Sequence, residues 1–220
     1  SCRDVFLDSW NCEAIMYQTT HDYTNNQRHG SPRKFGGYES AGVTQSLVDE
    51  FQMDNGKDIH ESGSGYPEEG FTTADYADPV SGWVYTPAGC SRMYYRREPR
   101  FYVNVAFCGA YCMYNNQYDR YRWQLYYSGA DGKKGSWDYP RTGYVRLKHV
   151  SPGYNYLQGK TVKLPHLVIR YAEILLNYVE ALNEYDPGNP DILKYSAPPR
   201  FNYKLGYYLD LPEIEHLLFQ

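Results

Sequence analysis

The sequence predicts a mainly α-helical chain with extensive loops and a few short strands. Three observations predict this class. Apolar residues follow a helical spacing across 168–184, which reads VIRYAEILLNYVEALNE. Residues 58–90 hold eight glycines and prolines without a sustained period, which is typical of a long surface loop. Short alternating runs such as FYVNVAF at 101–107 favour strands.

The N-terminal third is predicted to be mostly irregular. A turn or short helix precedes an extended run at 13–17, and the polar, Gly- and Asn-rich stretch 21–38 is interpreted as a long loop. Thr44 is a good N-cap for a short helix at 45–51, which the Asp-Asn-Gly turn at 54–56 ends.

The middle of the chain is predicted to be extended. The run 101–107 is interpreted as a strand behind the turn at Pro99. Residues 121–127 and 143–150 are expected to be strands or extended segments, and the loop 128–136 between them carries three glycines.

Two late helices are expected to form an antiparallel pair. The stripe Val168, Tyr171, Ala172, Leu175, Val179 and Leu182 gives the first helix one apolar face. Asn189 as N-cap and Pro190 in the first turn begin the second, which runs through 191–195. The small alanines of the first helix suit the close packing of a helical repeat, whose other members would lie outside this chain. A last short helix is predicted at 213–219.

Composition excludes some classes of function. The net charge of −4 and the pI of about 5.9, with no basic block, argue against a nucleic-acid partner. No apolar run approaches the roughly 20 residues that cross a bilayer, so membrane attachment would require a lipid anchor outside the given residues.

The sequence carries no pattern that indicates catalysis, a metal site or a cofactor. It lacks GxSxG, HExxH and GxxxxGK[ST] motifs, and its six histidines are scattered without ligand spacing. Asp54-x-Gly56-x-Asp58 lacks the full ligand alternation of a calcium loop and is interpreted as a hydrogen-bonded turn. We therefore predict neither catalytic residues nor metal ligands.

Aromatic residues on loops are the candidate ligand contacts. Tyrosine supplies 26 residues, against 8 phenylalanines and 4 tryptophans. A planar ring covers the apolar C–H face of a sugar while nearby amides and carboxylates bind its hydroxyls. For Trp123 and Trp137 a role as core anchors remains the alternative. The candidate site residues are Trp83, Tyr85, Trp123, Tyr126, Tyr127, Trp137 and Tyr139.

Four stretches in order resemble one family of nutrient-binding proteins. They are the helix at 168–184, GVTQSLVDEFQMDNGK at 42–57, RREPRFYVNVAFCGA at 96–110 and RTGYVRLKHV at 141–150. All four are similar to segments of the SusD/RagB-like lipoproteins. The resemblance implies a tetratricopeptide-type helical-repeat scaffold, of which this chain is the middle to C-terminal part. It divides the chain into a loop-rich ligand-binding part (1–160), a helical pair (161–195) and a divergent tail (196–220).

The resemblance also implies a function. Members of this family capture glycans, or in the RagB branch peptides, at the cell surface for a SusC-like TonB-dependent transporter in the outer membrane. The resemblance puts other residue types where Cys108 and Cys112 stand, so we expect free buried thiols there. Three alternatives stay open: a peptide-binding member of the family, a secreted glycoside hydrolase or lyase, and a structural subunit of a surface complex.

Overall fold

The computed structural model describes residues 4–7, 11, 13–20, 22–112, 121–134, 136–164 and 166–196. These residues belong to two compact units. One contains the described residues of 20–164, and the other contains those of 4–19 and 166–196. The N-terminal segment thus belongs to the same compact unit as the late helices. The division into 1–160, 161–195 and 196–220 stays a prediction. The helix predicted at 213–219 lies outside the described residues.

Short helices and very short strands connect long irregular segments. The helices are α1 (Asp4–Leu7), α2 (Tyr23–His29), α3 (Gln45–Asp49), α4 (Pro99–Asn104), α5 (Tyr171–Tyr185) and α6 (Pro190–Ser196). The strands are β1 (Ala14–Gln18), β2 (Tyr76–Ala77), β3 (Val84–Thr86), β4 (Val105–Ala106), β5 (Val145–Arg146) and β6 (His166–Arg170). Within the described ranges β1 pairs with β6, β2 with β3 and β4 with β5, all antiparallel. The predicted mixture of helices, loops and short strands is confirmed.

The long late helix begins three residues later than predicted. Residues 168–170 belong to β6, where Leu167 lies opposite Tyr17 and Ile169 opposite Met16 of β1. The Tyr171 amide then donates to the Glu13 carbonyl at 2.7 Å. Pairing with a strand about 150 positions earlier in the chain therefore overrides the local helical pattern, which a sequence period cannot reveal.

The predicted faces of α5 are confirmed from Tyr171 onward. Tyr171, Leu175 and Val179 are half-buried, whereas Glu173 and Glu180 are exposed. The predicted cap of α6 is also confirmed, because the Asp191 amide donates to the Asn189 side chain at 3.0 Å. The rings of Tyr178 and Tyr195 pack edge-on at 5.7 Å between the two helices. A larger repeat array stays a prediction.

The stretch 21–38 is more ordered than predicted. It contains α2 and a 3₁₀ turn at Arg33–Phe35. The Asp22 carboxylate caps α2 by accepting the Asn25 amide at 2.9 Å. Buried Gln27 donates to the Val162 carbonyl at 2.7 Å and accepts from the Ser151 amide at 3.1 Å. A polar sequence therefore forms a helix here because its buried amide is fully paired within the unit.

The helix after Thr44 and its closing turn are confirmed. The Thr44 hydroxyl accepts the Leu47 amide at 3.3 Å, and the turn at 54–56 places Gly56 at φ +77°. Asp54 accepts a hydrogen bond from Arg96 at 2.7 Å, as expected for a structural turn.

The strand predicted at 101–107 is wrong over most of its length. Pro99 occupies the first turn of α4, and only Val105 and Ala106 are strand. Phe101, Tyr102 and Val105 are all buried. This spacing of i, i+1 and i+4 places the three side chains on one face of a helix. The apolar pattern of 101–107 was therefore compatible with a helix as well as with a strand.

The core of the 20–164 unit is rich in aromatic rings. Tyr94 packs against Phe107 at 4.2 Å, and Phe101 stacks on Phe107 at 5.6 Å. Buried Arg97 donates to the Val48 carbonyl at 2.6 Å and to the Phe51 carbonyl at 2.5 Å, which satisfies groups at the end of α3. Arg97 of the stretch RREPR (96–100) therefore has a structural role.

The remaining predictions concern extended segments and thiols. Of 143–150 only β5 is a strand, and in 121–127 Arg122 forms an isolated bridge with Tyr111. Cys112 is buried as expected, whereas Cys108 is half-buried. None of the described helices is long and apolar enough to cross a bilayer.

Candidate functional site

A pocket lies between two segments of the 20–164 unit. Its cavity volume is about 330 Å³, and its walls come from residues within 125–133 and from 139–143. Two of the predicted ligand contacts, Tyr127 and Tyr139, line it. The volume falls at the lower end of the roughly 300–1,000 Å³ of small-molecule sites.

The pocket is polar and carries two basic side chains. Lys133 and Arg141 both line it and both lie near the ring of Tyr139. The Lys133 Nζ is 5.9 Å and the Arg141 Cζ 5.7 Å from the ring centroid. Thr142 adds a hydroxyl. These residues combine an aromatic surface with hydrogen-bond donors.

Two glycines allow the tight course of the 125–133 wall. The Gly129 amide donates to the Tyr126 carbonyl at 2.9 Å, and the Gly132 amide donates to the Gly129 carbonyl at 3.0 Å. A Cβ on Gly132 would lie 1.9 Å from the Tyr126 carbonyl oxygen, and one on Gly129 would lie 2.1 Å from the Gln124 oxygen. Only glycine fits these close backbone approaches.

Asp131 holds this wall in place from below. It is fully buried, and its Oδ2 accepts from the Tyr121 hydroxyl at 2.6 Å and from the Gln124 amide at 2.9 Å. Burial raises the pKa of Tyr121, so the phenol keeps its proton and donates. The carboxylate thus spans the loop and fixes the backbone beneath the pocket.

Glu39 is the partner of Asp131 from a distant part of the chain. The two carboxyl groups are neighbours, and both residues are fully buried. Burial, and then the neighbouring Asp131 carboxylate, raise the pKa of Glu39. A proton shared by the two carboxyl groups would supply Asp131 Oδ1, which is buried and has no hydrogen-bond partner in the described part of the chain.

Arg33 completes the support. Its guanidinium donates to the Gly132 carbonyl at 2.6 Å, and its Nε lies 3.4 Å from Glu39 Oε2. Its backbone amide donates to Glu39 Oε1 at 2.5 Å. Glu39 adopts a φ of +55°, which is rare outside glycine and is maintained by these contacts. The stretch 33–39 therefore holds the 125–133 wall through the contacts of Arg33 and Glu39.

Exposed aromatic rings continue the surface beyond the pocket. Trp137 is 95 % exposed, Tyr127 69 % and Tyr126 53 %. The alternative interpretation of Trp137 as a core anchor is therefore wrong. Tyr126 and Tyr127 belong to the 125–133 wall and Trp137 comes two residues before Tyr139, so these exposed rings are candidates to extend a binding surface.

Trp123 is not part of this surface. Its side chain is 1 % exposed and lies in the core with Phe35 and Cys112. Its backbone amide pairs with the Ala110 carbonyl at 2.9 Å, which places the residue between two extended segments. Its ring has no face available to a ligand, and the core-anchor interpretation of Trp123 is correct.

Trp83 and Tyr85 lie on the β2–β3 hairpin, and neither lines the pocket. Trp83 is 38 % exposed at the turn. Tyr85 stacks on Tyr102 at 4.7 Å and tilts against Tyr76 at 5.7 Å, so its ring packs the hairpin onto the core. A ligand contact at Trp83 or Tyr85 stays a prediction.

The sequence did not single out several residues that form or support the pocket. Lys133, Arg141 and Thr142 line it, and Glu39 and Arg33 brace it. For Lys133 and Arg141 the sequence did carry a signal, because both are basic residues in or next to the aromatic loop 126–139. The role of Glu39 had no local signal, because its partner lies about 90 positions away.

The arrangement is suited to holding a ligand by contacts rather than by covalent chemistry. Asp131 is the one carboxylate in the described lining, and its Oδ2 accepts two structural hydrogen bonds. Among the residues that the structure describes, no cluster of three or more His, Cys, Asp or Glu side chains could hold a metal ion.

Comparison with known proteins shows a family and a similar solved structure. A family model described as the SusD family matches residues 7–196. A SusD-like protein of Bacteroides fragilis, solved by crystallography, superimposes with a TM-score of 0.58 at 25 % sequence identity. The match covers 88 % of this chain and 36 % of that protein, so the chain spans well under half of its length. No curated protein matches the sequence.

Proposed function

Because the chain belongs to the SusD family, we propose that it captures a glycan at the cell surface and delivers it to a SusC-like TonB-dependent transporter. Proteins of this family generally bind nutrients, glycans above all. The observation that carries the proposal is the open pocket in which Tyr127 and Tyr139 lie beside hydrogen-bonding side chains. We place the ligand there.

The chemistry of the pocket suits a sugar. A pyranose offers an apolar C–H face and a rim of hydroxyls, which need a flat ring and hydrogen-bond partners together. Tyr127 and Tyr139 supply the rings, and Thr142, Lys133 and Arg141 supply polar groups. Exposed Trp137 and Tyr126 would extend the contact along a longer oligosaccharide.

The proposed role is binding without turnover. The wall beneath the pocket is rigidly braced through Asp131, Glu39 and Arg33, as a preformed binding surface requires. The protein would act at the outer membrane, attached through a lipid anchor outside the given residues, and would hand its ligand to the transporter. No cofactor is needed for this role.

Isothermal titration against a glycan panel tests the site. We expect Tyr127→Ala and Tyr139→Ala each to weaken binding about tenfold, since each removes one stacking face of roughly 1 kcal/mol or more. Tyr185→Ala is the matched control, because Tyr185 is 90 % exposed but lies on α5 in the other unit.

Three outcomes would contradict the proposal. Unchanged affinity in both pocket variants would remove the pocket as the glycan site. Binding of peptides but no glycans would favour the peptide-capturing alternative. Release of reducing ends from a glycan by the purified protein would favour the hydrolase.

A further inference from the structure

The charge of the pocket differs in sign from that of the chain. The whole sequence carries a net charge of −4, yet Lys133 and Arg141 both face the cavity. They lie near the same ring, at 5.9 Å and 5.7 Å from the centroid of Tyr139. The local positive charge is therefore a feature of the pocket and does not follow from composition.

The two cations have no carboxylate partner among the described residues. The ion pairs of this unit join Arg33 to Glu39, Lys57 to Glu61, Arg96 to Asp54 and Arg100 to Glu98, and none includes Lys133 or Arg141. Both side chains are exposed and contact Tyr139 instead. Their donors remain available to a ligand.

One acid, Asp131, lies in the described lining with the two cations. Asp131 is buried, and its Oδ2 accepts from Tyr121 and Gln124. Its other oxygen faces the carboxyl group of Glu39. Exposed Asp138 and exposed Lys134 lie nearby in sequence, but neither lines the cavity and their charges are opposite. The described lining therefore keeps an excess of positive charge.

We propose that the pocket selects an acidic saccharide, whose carboxylate or sulfate group binds between Lys133 and Arg141. The inference rests on the proposed function, because it assumes that the ligand is a glycan. The sugar ring would lie on Tyr139 or Tyr127, and the acidic substituent would reach the guanidinium and the ammonium. A guanidinium binds a carboxylate or sulfate through two parallel N–H donors, so Arg141 supplies direction as well as charge.

The test compares acidic oligosaccharides with neutral derivatives of the same sugars. One pair is an oligogalacturonate and its methyl ester, and the other is a sulfated oligosaccharide and its desulfated form. We expect at least one acidic member to bind ten times or more tightly than its neutral partner. The two pairs distinguish a carboxylate from a sulfate as the group recognised. The affinity of the protein for the acidic oligosaccharide should also fall severalfold between low and high salt, because salt screens exposed charges.

Single substitutions assign the effect to the pocket. Arg141→Gln and Lys133→Gln should each weaken the acidic ligand about tenfold and its neutral derivative much less, because glutamine keeps a hydrogen-bond donor but loses the charge. Lys134→Gln is the matched control, because this neighbouring lysine is exposed but does not line the cavity, and it should change nothing. Circular dichroism of each variant checks that the fold is retained.

The outcomes separate this inference from the proposed function. Equal binding of acidic and neutral forms, lost in Tyr127→Ala, would overturn the charge selection and keep glycan capture. If Lys134→Gln lost as much affinity for the acidic ligand as Arg141→Gln or Lys133→Gln, the placement of the acidic group would be overturned. Binding of acidic peptides alone, or of no member of either pair, would overturn both.

Discussion

At the scale of single residues, Glu39 contributes to stability in a way that depends on pH. Glu39 is fully buried beside Asp131, and burial with the adjacent carboxylate raises its pKa above the ordinary value of 4.5. Above pH 4.5 the folded chain therefore holds a proton that the unfolded chain has released. The contribution of Glu39 to the free energy of unfolding therefore falls as pH rises, by up to about 1.4 kcal/mol per pH unit until the folded-state pKa is reached.

Glu39→Gln tests this linkage. The amide stays neutral at every pH, can donate to Asp131 and can still accept the Arg33 amide. We expect the melting temperature of the variant to fall less than that of the wild type between pH 5.5 and 8.5. Glu61→Gln, at an exposed ion pair with Lys57, should keep the wild-type slope. Parallel curves for wild type and Glu39→Gln would show that Glu39 is ionised in the folded chain.

Arg97 is a second buried charged residue that stabilises the fold. Its buried guanidinium pairs with the carbonyls of Val48 and Phe51. Arg97→Ala would leave both carbonyls short of a donor, at about 1–3 kcal/mol each, so we expect a loss of about 3 kcal/mol or more in chemical denaturation. Arg100→Ala, in the same motif but exposed and paired with Glu98, should cost under about 1 kcal/mol. Equal costs for the two variants would contradict this assignment.

At the scale of elements, local chemistry predicted helix ends better than it predicted helix and strand identity. Thr44 and Asn189 cap their helices as expected, because capping depends on neighbours two or three positions away. Residues 168–170 and 101–104 were assigned to the wrong element. Strand pairing with β1 decides the first, and burial of Phe101 and Tyr102 within the core decides the second.

The same limit applies to the candidate site. The sequence predicted Tyr127 and Tyr139 as ligand contacts, and both line the pocket. It could not separate them from Trp123, because exposure depends on what the rest of the chain covers. Nor could it place Glu39 beneath Asp131, since that contact joins segments far apart in the chain.

The tight loop at 129–132 makes the pocket wall sensitive to one methyl group. In Gly132→Ala the new Cβ would lie 1.9 Å from the Tyr126 carbonyl oxygen, so the backbone must shift. We expect a lower melting temperature and a loss of glycan affinity in titration. Gly153→Ala is the matched control, because nothing lies within 4 Å of its Cβ position. Retained affinity in Gly132→Ala would mean that this wall does not shape the site.

At the scale of the whole molecule, the two units differ in how deeply their side chains are buried. In the 20–164 unit Phe101 and Ala106 are fully buried, whereas α5 has no fully buried side chain. Local opening costs less where few apolar groups are covered. The two units should therefore show different stabilities within one chain.

Hydrogen exchange measures this difference directly. We expect the amides of α5 to exchange through openings of lower free energy than those of residues 105–107. The order follows from burial, since Leu176 of α5 is exposed while Val105 and Phe107 are buried. Equal protection of both regions would indicate that the chain opens as one cooperative unit.

The central claim is that the pocket between 125–133 and 139–143 holds the ligand. A crystal structure of the chain with a bound oligosaccharide tests it most directly. We expect a sugar ring against Tyr127 or Tyr139, with the polar groups of the sugar within hydrogen-bond distance of Lys133, Arg141 or Thr142. A sugar seated on the β2–β3 hairpin around Trp83, with the pocket empty, would contradict it.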